Sequence, residues 1–249
     1  MSQHWENAQE MIVDATPEQV WDAIATGPGI DSWYMGRSTV QPGDGGTVAT
    51  DLGPFAMASR ISVWEPGRHL RFSSEEAPDG GFIAFEYLIE GRAGGSTVLR
   101  TVASGFLPGD DWEVEYDAML RGGAMYQQAL AQYLTHFPGR TAYPVTAMGP
   151  AAGDWAKTWQ CVGEAFGLPG AAADGDAVRC EVPGIGTVEG VVDYTEPGFL
   201  GIRTADALYR FGEGFFTGGL FLGHHVFADP SGQPADEAAW TAWAATVTV

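Results

Sequence analysis

The sequence predicts an α+β protein with a helix-grip arrangement. A curved antiparallel sheet wraps around a long C-terminal helix, in two tandem copies with the second abbreviated. Three observations carry this. Turn signals (QPGDGG, DLGP, EPG, APDGG, RAGG) fall at even spacing between strand-like runs, which argues for hairpins over crossover units. A long stripe of apolar residues at helical spacing follows them. A second turn, Glu196-Pro197-Gly198, repeats Glu65-Pro66-Gly67 with an alternating strand on each side.

The elements follow in order. Residues 9–15 (QEMIVDA) read as a strand. Thr16 suits an N-cap and Pro17 the first helical position. Val20, Trp21 and Ile24 share one face of the short helix that follows, which Gly27-Pro28-Gly29 stops, and IDSWYMG reads as a second helical turn. The strand-like runs are TVATDL, FAMASRISVWE, HLRFSSEE, FIAFEYLIE and TVLRTVASGF. In FIAFEYLIE, Ile83, Phe85, Tyr87 and Ile89 share the face assigned to the interior; Phe82, Ala84, Glu86 and Leu88 share the other.

A helix is expected from about Asp111 to Phe137, with Trp112, Tyr116, Met119, Leu120, Tyr126, Leu130, Tyr133, Leu134 and Phe137 at helical spacing. Asp110, Asp111, Glu113, Glu115 and Asp117 crowd its start, where the helix dipole favours negative charge; the alternative, a cation site, is the weaker reading. Gly122-Gly123 interrupts it. Each glycine costs ~1 kcal/mol against alanine in a helix interior, which points to close approach of the sheet or a kink.

Beyond Arg140, AYPVTAM reads as a strand and GPAAGDWAKTWQCVGEAFGL as a helix with Trp155, Trp159, Val162 and Phe166 on one face. TVEGVVDYTEPGFLGIRT aligns with SRISVWEPGRHLRFSS, and GGLFLGHHVF and ADEAAWTAWAATVTV close the chain as strand and helix. This is the first order with its middle shortened. It gives two domains, 1–140 and a degenerate copy at 141–249.

The chain has 249 residues, 45% of them hydrophobic and 12% aromatic, enough for packed cores. Thirty-two acidic residues against 12 basic ones give a net charge of −20. Such a surface repels nucleic acid and anionic headgroups. The acidity is shared, with eight basic against nineteen acidic residues over 1–140 and four against thirteen over 141–249. Lys157 is the only lysine, so Schiff-base chemistry has one candidate. The N-terminal MSQHWENAQEMIVDA lacks a charged-then-apolar signal pattern, and no apolar run approaches the ~20 residues that span a bilayer. Cys161 and Cys180 are too few for a disulfide framework. A cytoplasmic location is expected.

Residues 9–137 resemble the START-related superfamily, also called SRPBCC or Bet v 1-like, and within it the branch related to the Hsp90 ATPase activator C-terminal domain. The pieces that carry the resemblance are IVDATPEQVWDAIATGPGIDSWYMG, the turn GDGG before a strand, ISVWEPGRHLRF, and GGSTVLRTVASGF leading into the long helix. In tandem form the chain also resembles two-domain aromatase/cyclases. The fold hosts transporters, cyclases, hydrolases and co-chaperones, so it leaves activity open.

The resemblance implies a cavity between sheet and long helix. Trp64, Phe72, Phe85 and Tyr87 are candidate lining residues on the sheet, Tyr126 and Tyr133 on the helix, and Trp33 and Tyr34 at the mouth. Arg60, Arg71 and Arg100 lie in strands, where an inward guanidinium would anchor an anion; Arg100 is taken as a ligand-binding candidate. Arg68 and His69 are expected at the rim. In the second half, His224 and His225 are adjacent in a strand and face opposite sides. His224, His225 and Arg203 are candidates there, with Asp193, Tyr194, Asp206 and Tyr209 as partners. A satisfied buried histidine is the plainer reading and acid/base work the sharper one. No P-loop, G-x-S-x-G, H-E-x-x-H or C-x-x-C motif occurs, and neither a cofactor nor a metal is expected. The function expected is binding of a lipophilic small molecule in an apolar cavity, with cyclase-like or other catalysis open; the alternative is a co-chaperone-like interaction module. A protein partner and a homo-oligomer are both left open.

Overall fold

The structure, a computed structural model, describes residues 3–53, 56–92, 94–107, 112–214 and 218–249, apart from the side chains of Gln3, Leu107, residues 112–115 and Ala118. It divides into two compact units, residues 1–31 with 37–140, and residues 32–36 with 141–249.

The first unit runs β1 (Gln3–Val13), α1 (Pro17–Ala25), α2 (Gly27–Ile30), β2 (Arg37–Gln41), β3 (Thr47–Asp51), β4 (Ala56–Glu65), β5 (His69–Ser74), β6 (Phe82–Gly91), β7 (Thr97–Leu107) and α3 (Trp112–His136). The sheet is antiparallel in the order β1-β7-β6-β5-β4-β3-β2. The first strand therefore pairs with the last, and the hairpins between fill the sheet. Thr16 caps α1 in a capping box, its hydroxyl accepting from Gln19 N while the Gln19 side chain accepts from Thr16 N, with Pro17 beginning the helix. α3 packs along β1 and β7 and against α1. It buries Met125, Tyr126, Ala129, Leu130, Tyr133 and Leu134, with Phe137 directly after its end, a stripe at i, i+3 and i+4. Each fully buried Leu or Phe contributes about 1.5–3 kcal/mol. That outweighs the glycine pair, and α3 runs unbroken through Gly122 and Gly123. Close approach of the sheet is not the reason at Gly123, because a Cβ there would meet nothing within 4 Å. The acidic run at the start of this helix, Asp110 to Glu115, lies outside the described side chains.

The second unit runs β8 (Tyr143–Ala151), α4 (Trp155–Ala165), β9 (Ala177–Val182), β10 (Gly186–Glu196), β11 (Phe199–Arg203), β12 (Ala207–Glu213), β13 (Gly219–Val226) and α5 (Gln233–Val247), with a 3-10 turn at Pro230–Gly232. Its sheet has the order β8-β13-β12-β11-β10-β9. Again the first strand pairs with the last, so β8, β10, β11, β12 and β13 take the places of β1, β4, β5, β6 and β7. Six strands stand where the first unit has seven. β9 alone replaces the β2–β3 hairpin, which is the abbreviation expected. The correspondence reaches single residues. β4 carries a bulge between Ile61 and Val63, and β10 carries one between Val192 and Tyr194, each at the same distance before its Glu-Pro-Gly turn. α5 lies along β8, and Trp240, Trp243, Ala244 and Val247 join Val162, Phe166, Tyr209, Phe211 and Leu222 in one core.

The sequence reading departs from the structure at several elements. β1 starts earlier than residue 9, and α4 is shorter than its apolar pattern. β2, β9 and β12 were not anticipated. Segment 32–36 belongs with the second unit, tied there by the Ser32 hydroxyl, which accepts from Ala142 N at 3.0 Å. Trp33 and Tyr34, expected at the mouth of the first domain, are thus held in the second unit, with ring centroids 5.4 Å apart.

Candidate functional site

α4 is started by Asp154, whose carboxylate accepts from Lys157 N at 3.0 Å. Its apolar face points Val162 and the following Phe166 into the core, both fully buried, while Trp155 and Trp159 on the same face stay half-buried. These indoles stand at the edge of an open cavity of about 930 Å³, whose other walls are residues 168–172, the β10–β11 turn with Phe199 and Leu200, and Glu213 at the end of β12.

Glu213 is the unusual member. Along β12, Ala207, Tyr209 and Phe211 alternate into the core, and the next residue in that alternation is a glutamate. Trp159 Nε1 donates to its Oε1 at 2.9 Å, and its backbone N–H donates to Gly198 O at 2.9 Å. Gly198 has φ +83°, and a Cβ there would lie 3.0 Å from the Glu213 carboxyl carbon. The turn approaches this closely only because residue 198 has no side chain. Glu164 and Glu196 also line the cavity, and among the described residues no Lys, Arg or His does. Gln160 Nε2 donates to Glu164 at 2.8 Å.

None of the site residues expected from the sequence lines this cavity. In the first unit, Phe72, Phe85 and Tyr87 are brought together on one sheet face, Phe72 lying 5.5 Å from Phe85 and 6.2 Å from Tyr87. Trp64 meets Trp21 of α1 edge-on at 5.0 Å. Tyr126 and Tyr133 lie on the buried stripe of α3, and the Tyr133 hydroxyl donates to Arg140 O at 3.0 Å. Arg60, Arg71 and Arg100 are exposed. Arg100 pairs across strands with Glu10 and Leu88, on the face opposite Phe85 and Tyr87. With Arg68, His69 and Glu65 it borders a polar cleft of about 580 Å³, where His69 Nε2 meets Glu86 Oε1 at 2.7 Å.

In the second unit, His224 and His225 are both fully buried. His224 Nδ1 accepts from Arg210 N at 3.1 Å, which leaves its proton on Nε2. Its ring packs 4.4 Å from Trp240 and 5.0 Å from Tyr209 and Phe211. Burial, with His225 and Arg210 adding to it, holds its pKa well below the usual histidine range. Neither histidine lines the cavity, and Arg203, at the end of β11, does not either. Arg210 binds Asp193 through two parallel bonds of 2.9 and 2.8 Å, both residues buried. Gly201 makes room for them, since a Cβ there would lie 2.6 Å from Asp193 Oδ1. Burial, then Glu196, raises the Tyr194 hydroxyl to about 12.

The cavity-lining residues Trp159, Phe199 and Glu213 were missed as a site. The signal was present: the indoles stood in α4's apolar pattern and Phe199 directly after the second Glu-Pro-Gly turn. Among the described residues there is no group of three or more His, Cys, Asp or Glu placed to hold a metal ion, and no helix is long and apolar enough to cross a membrane.

The family model described as Activator of Hsp90 ATPase homolog 1-like protein (AHSA1) matches residues 14–135. Residues 14–135 are an AHSA1-like domain of the SRPBCC superfamily. This AHSA1-like domain takes in α1, strands β2 to β7 and nearly all of α3, so the cavity at Trp159 and Glu213 lies outside it. No curated protein matches the sequence. Among solved structures, protein MLL2253 from Mesorhizobium loti is 21% identical with a TM-score of 0.45, over 52% of this chain and 96% of that one. The Aha1 dimer from Colwellia psychrerythraea is 16% identical with a TM-score of 0.42, over 52% and 96%. The di-domain ARO/CYC BexL from the BE-7585A biosynthetic pathway is 11% identical with a TM-score of 0.45, over 97% and 93%.

Proposed function

We propose that the protein binds a lipophilic small molecule, seated in the cavity of the second unit. The observation that carries this is the 930 Å³ space with indole, phenyl and leucine walls. Ligand pockets of about 300–1,000 Å³, largely apolar with a few placed polar groups, are the usual form of small-molecule sites. The shared strand order and matching bulges support reading residues 141–249 as a degenerate copy of the AHSA1-like domain, one that kept an opening by its turn. Any turnover there would rest on shape and on Glu213 or Glu196 as proton acceptor.

The test pairs native with denaturing mass spectrometry and adds titration with the neutral dye Nile red. A discrete extra mass lost on denaturation, or saturable dye fluorescence that weakens in Trp159→Ala, supports the reading. An apo mass together with dye binding indifferent to that substitution overturns it. The family match favours a second reading, a protein-binding module acting on an Hsp90-type ATPase. Stimulation of a purified Hsp90 by this protein would support it, and an unchanged ATPase rate at saturating protein would remove it.

A further inference from the structure

From the lining of the second-unit cavity we infer that it takes an organic cation: a molecule with an apolar body and a positively charged amine or quaternary nitrogen, held among Glu213, Trp155 and Trp159. The inference rests on the cavity-binding reading and names the class of ligand.

Charge comes first. Among the described residues, every ionisable one that lines the cavity is a glutamate. An anionic ligand would be desolvated beside three carboxylates with no cation to answer it, whereas a cation would be attracted by all three. Placement comes second. Glu213 occupies a sheet position that otherwise faces inward. Its counterpart in the first unit is Ile89, identified by the matching backbone bonds from Ile89 N to Arg68 O (2.8 Å) and from Glu213 N to Gly198 O (2.9 Å). A carboxylate thus stands where the other copy has an apolar side chain. The indole N–H of Trp159 and the bare Gly198 hold it in position. One indole bond satisfies part of a carboxylate's acceptor capacity, and an ammonium group would take up more. The aromatic walls come third. Two indoles and the Phe199 ring surround the same space, and aromatic faces, indole most of all, attract ammonium groups.

Three matched fluorophores test this: 1,6-diphenylhexatriene, its trimethylammonium derivative and its propionic acid derivative. The trimethylammonium form is expected to bind about tenfold more tightly than the neutral parent, with the propionate weakest. Glu213→Gln should shrink the cationic advantage, read as the ratio of the two affinities in the same variant, to about threefold or less. Glu76→Gln, an exposed carboxylate of the first unit, should leave that ratio unchanged. Equal binding of all three probes, or tightest binding of the neutral one, overturns the cationic inference and leaves the cavity reading standing. A cationic advantage that survives Glu213→Gln, or falls as much in Glu76→Gln, reports attraction to the whole acidic surface and also overturns it. Absence of binding by every probe overturns the cavity reading itself. Should Glu213→Gln lose its folded urea baseline, Glu196→Gln on the exposed turn carries the same comparison.

Discussion

Asp193 stands in β10 where Ser62 stands in β4, each the extra residue of a bulge three residues before the glutamate of a Glu-Pro-Gly turn. The two units use the place differently. Ser62 is exposed and its hydroxyl donates to Arg71 O at 3.4 Å, whereas Asp193 is buried and clasped by Arg210. Removing one partner of a buried pair strands the other charge, at a cost of about 3–5 kcal/mol. Asp193→Ser alone should therefore lower second-unit stability by about that amount. Asp193→Ser with Arg210→Met should recover much of it, and urea melts of the two variants decide. Equal losses would mean that the guanidinium is not stranded.

Asp31 gives the first unit a pH dependence. Its carboxylate accepts from Ser38 N at 2.6 Å, yet burial dominates and raises its pKa to about 6. The folded state holds this proton more tightly than the unfolded chain. The resulting stability is complete below the unfolded value near 4 and is lost as pH rises through about 6. Asp31→Asn should flatten the first unit's melting profile between pH 4 and 6. A slope unchanged by the substitution would place the effect elsewhere.

His224 works in the opposite direction. It stays neutral in the folded state and takes up a proton near pH 6.5 when unfolded. Stability of the second unit should fall as pH drops below about 6.5 and level off above it. Following the imidazole resonances through pH 5–7 checks the assignment directly. An ordinary titration of His224 in the folded protein would refute it.

Gly123 offers a stabilising substitution. It is exposed in mid-helix and a Cβ there has open space. Gly123→Ala should stabilise the first unit by up to about 1 kcal/mol, read as a higher urea midpoint at unchanged slope.

Much of the architecture was legible because turn chemistry and alternation are local. The two Glu-Pro-Gly turns mark the same hairpin in each unit, and Thr16-Pro17 marks the start of α1. β12 was hidden because Arg210 stands in its middle among apolar neighbours, and the reason, Asp193 across the sheet, is not local. Without β12, Glu213 had no face, so an acid facing inward went unseen. Trp155 and Trp159 were visible as an apolar pattern, but periodicity says which residues share a face and not where the core beneath that face ends. Arg100 illustrates the converse. Alternation alone leaves a strand arginine either way up, and its pairing with Glu10 and Leu88 fixes it outward.

Each unit also contains a pair of indoles set nearly at right angles: Trp21 and Trp64 at 5.0 Å and 77° in the first, Trp240 and Trp243 at 5.3 Å and 77° in the second. Chromophores so close couple their excited states, and the signed near-ultraviolet dichroism that results vanishes once the rings lose their fixed angle. The molecule thus carries two built-in optical reporters. Replacing one indole of either pair by phenylalanine would silence that reporter and leave the other to follow its own unit alone.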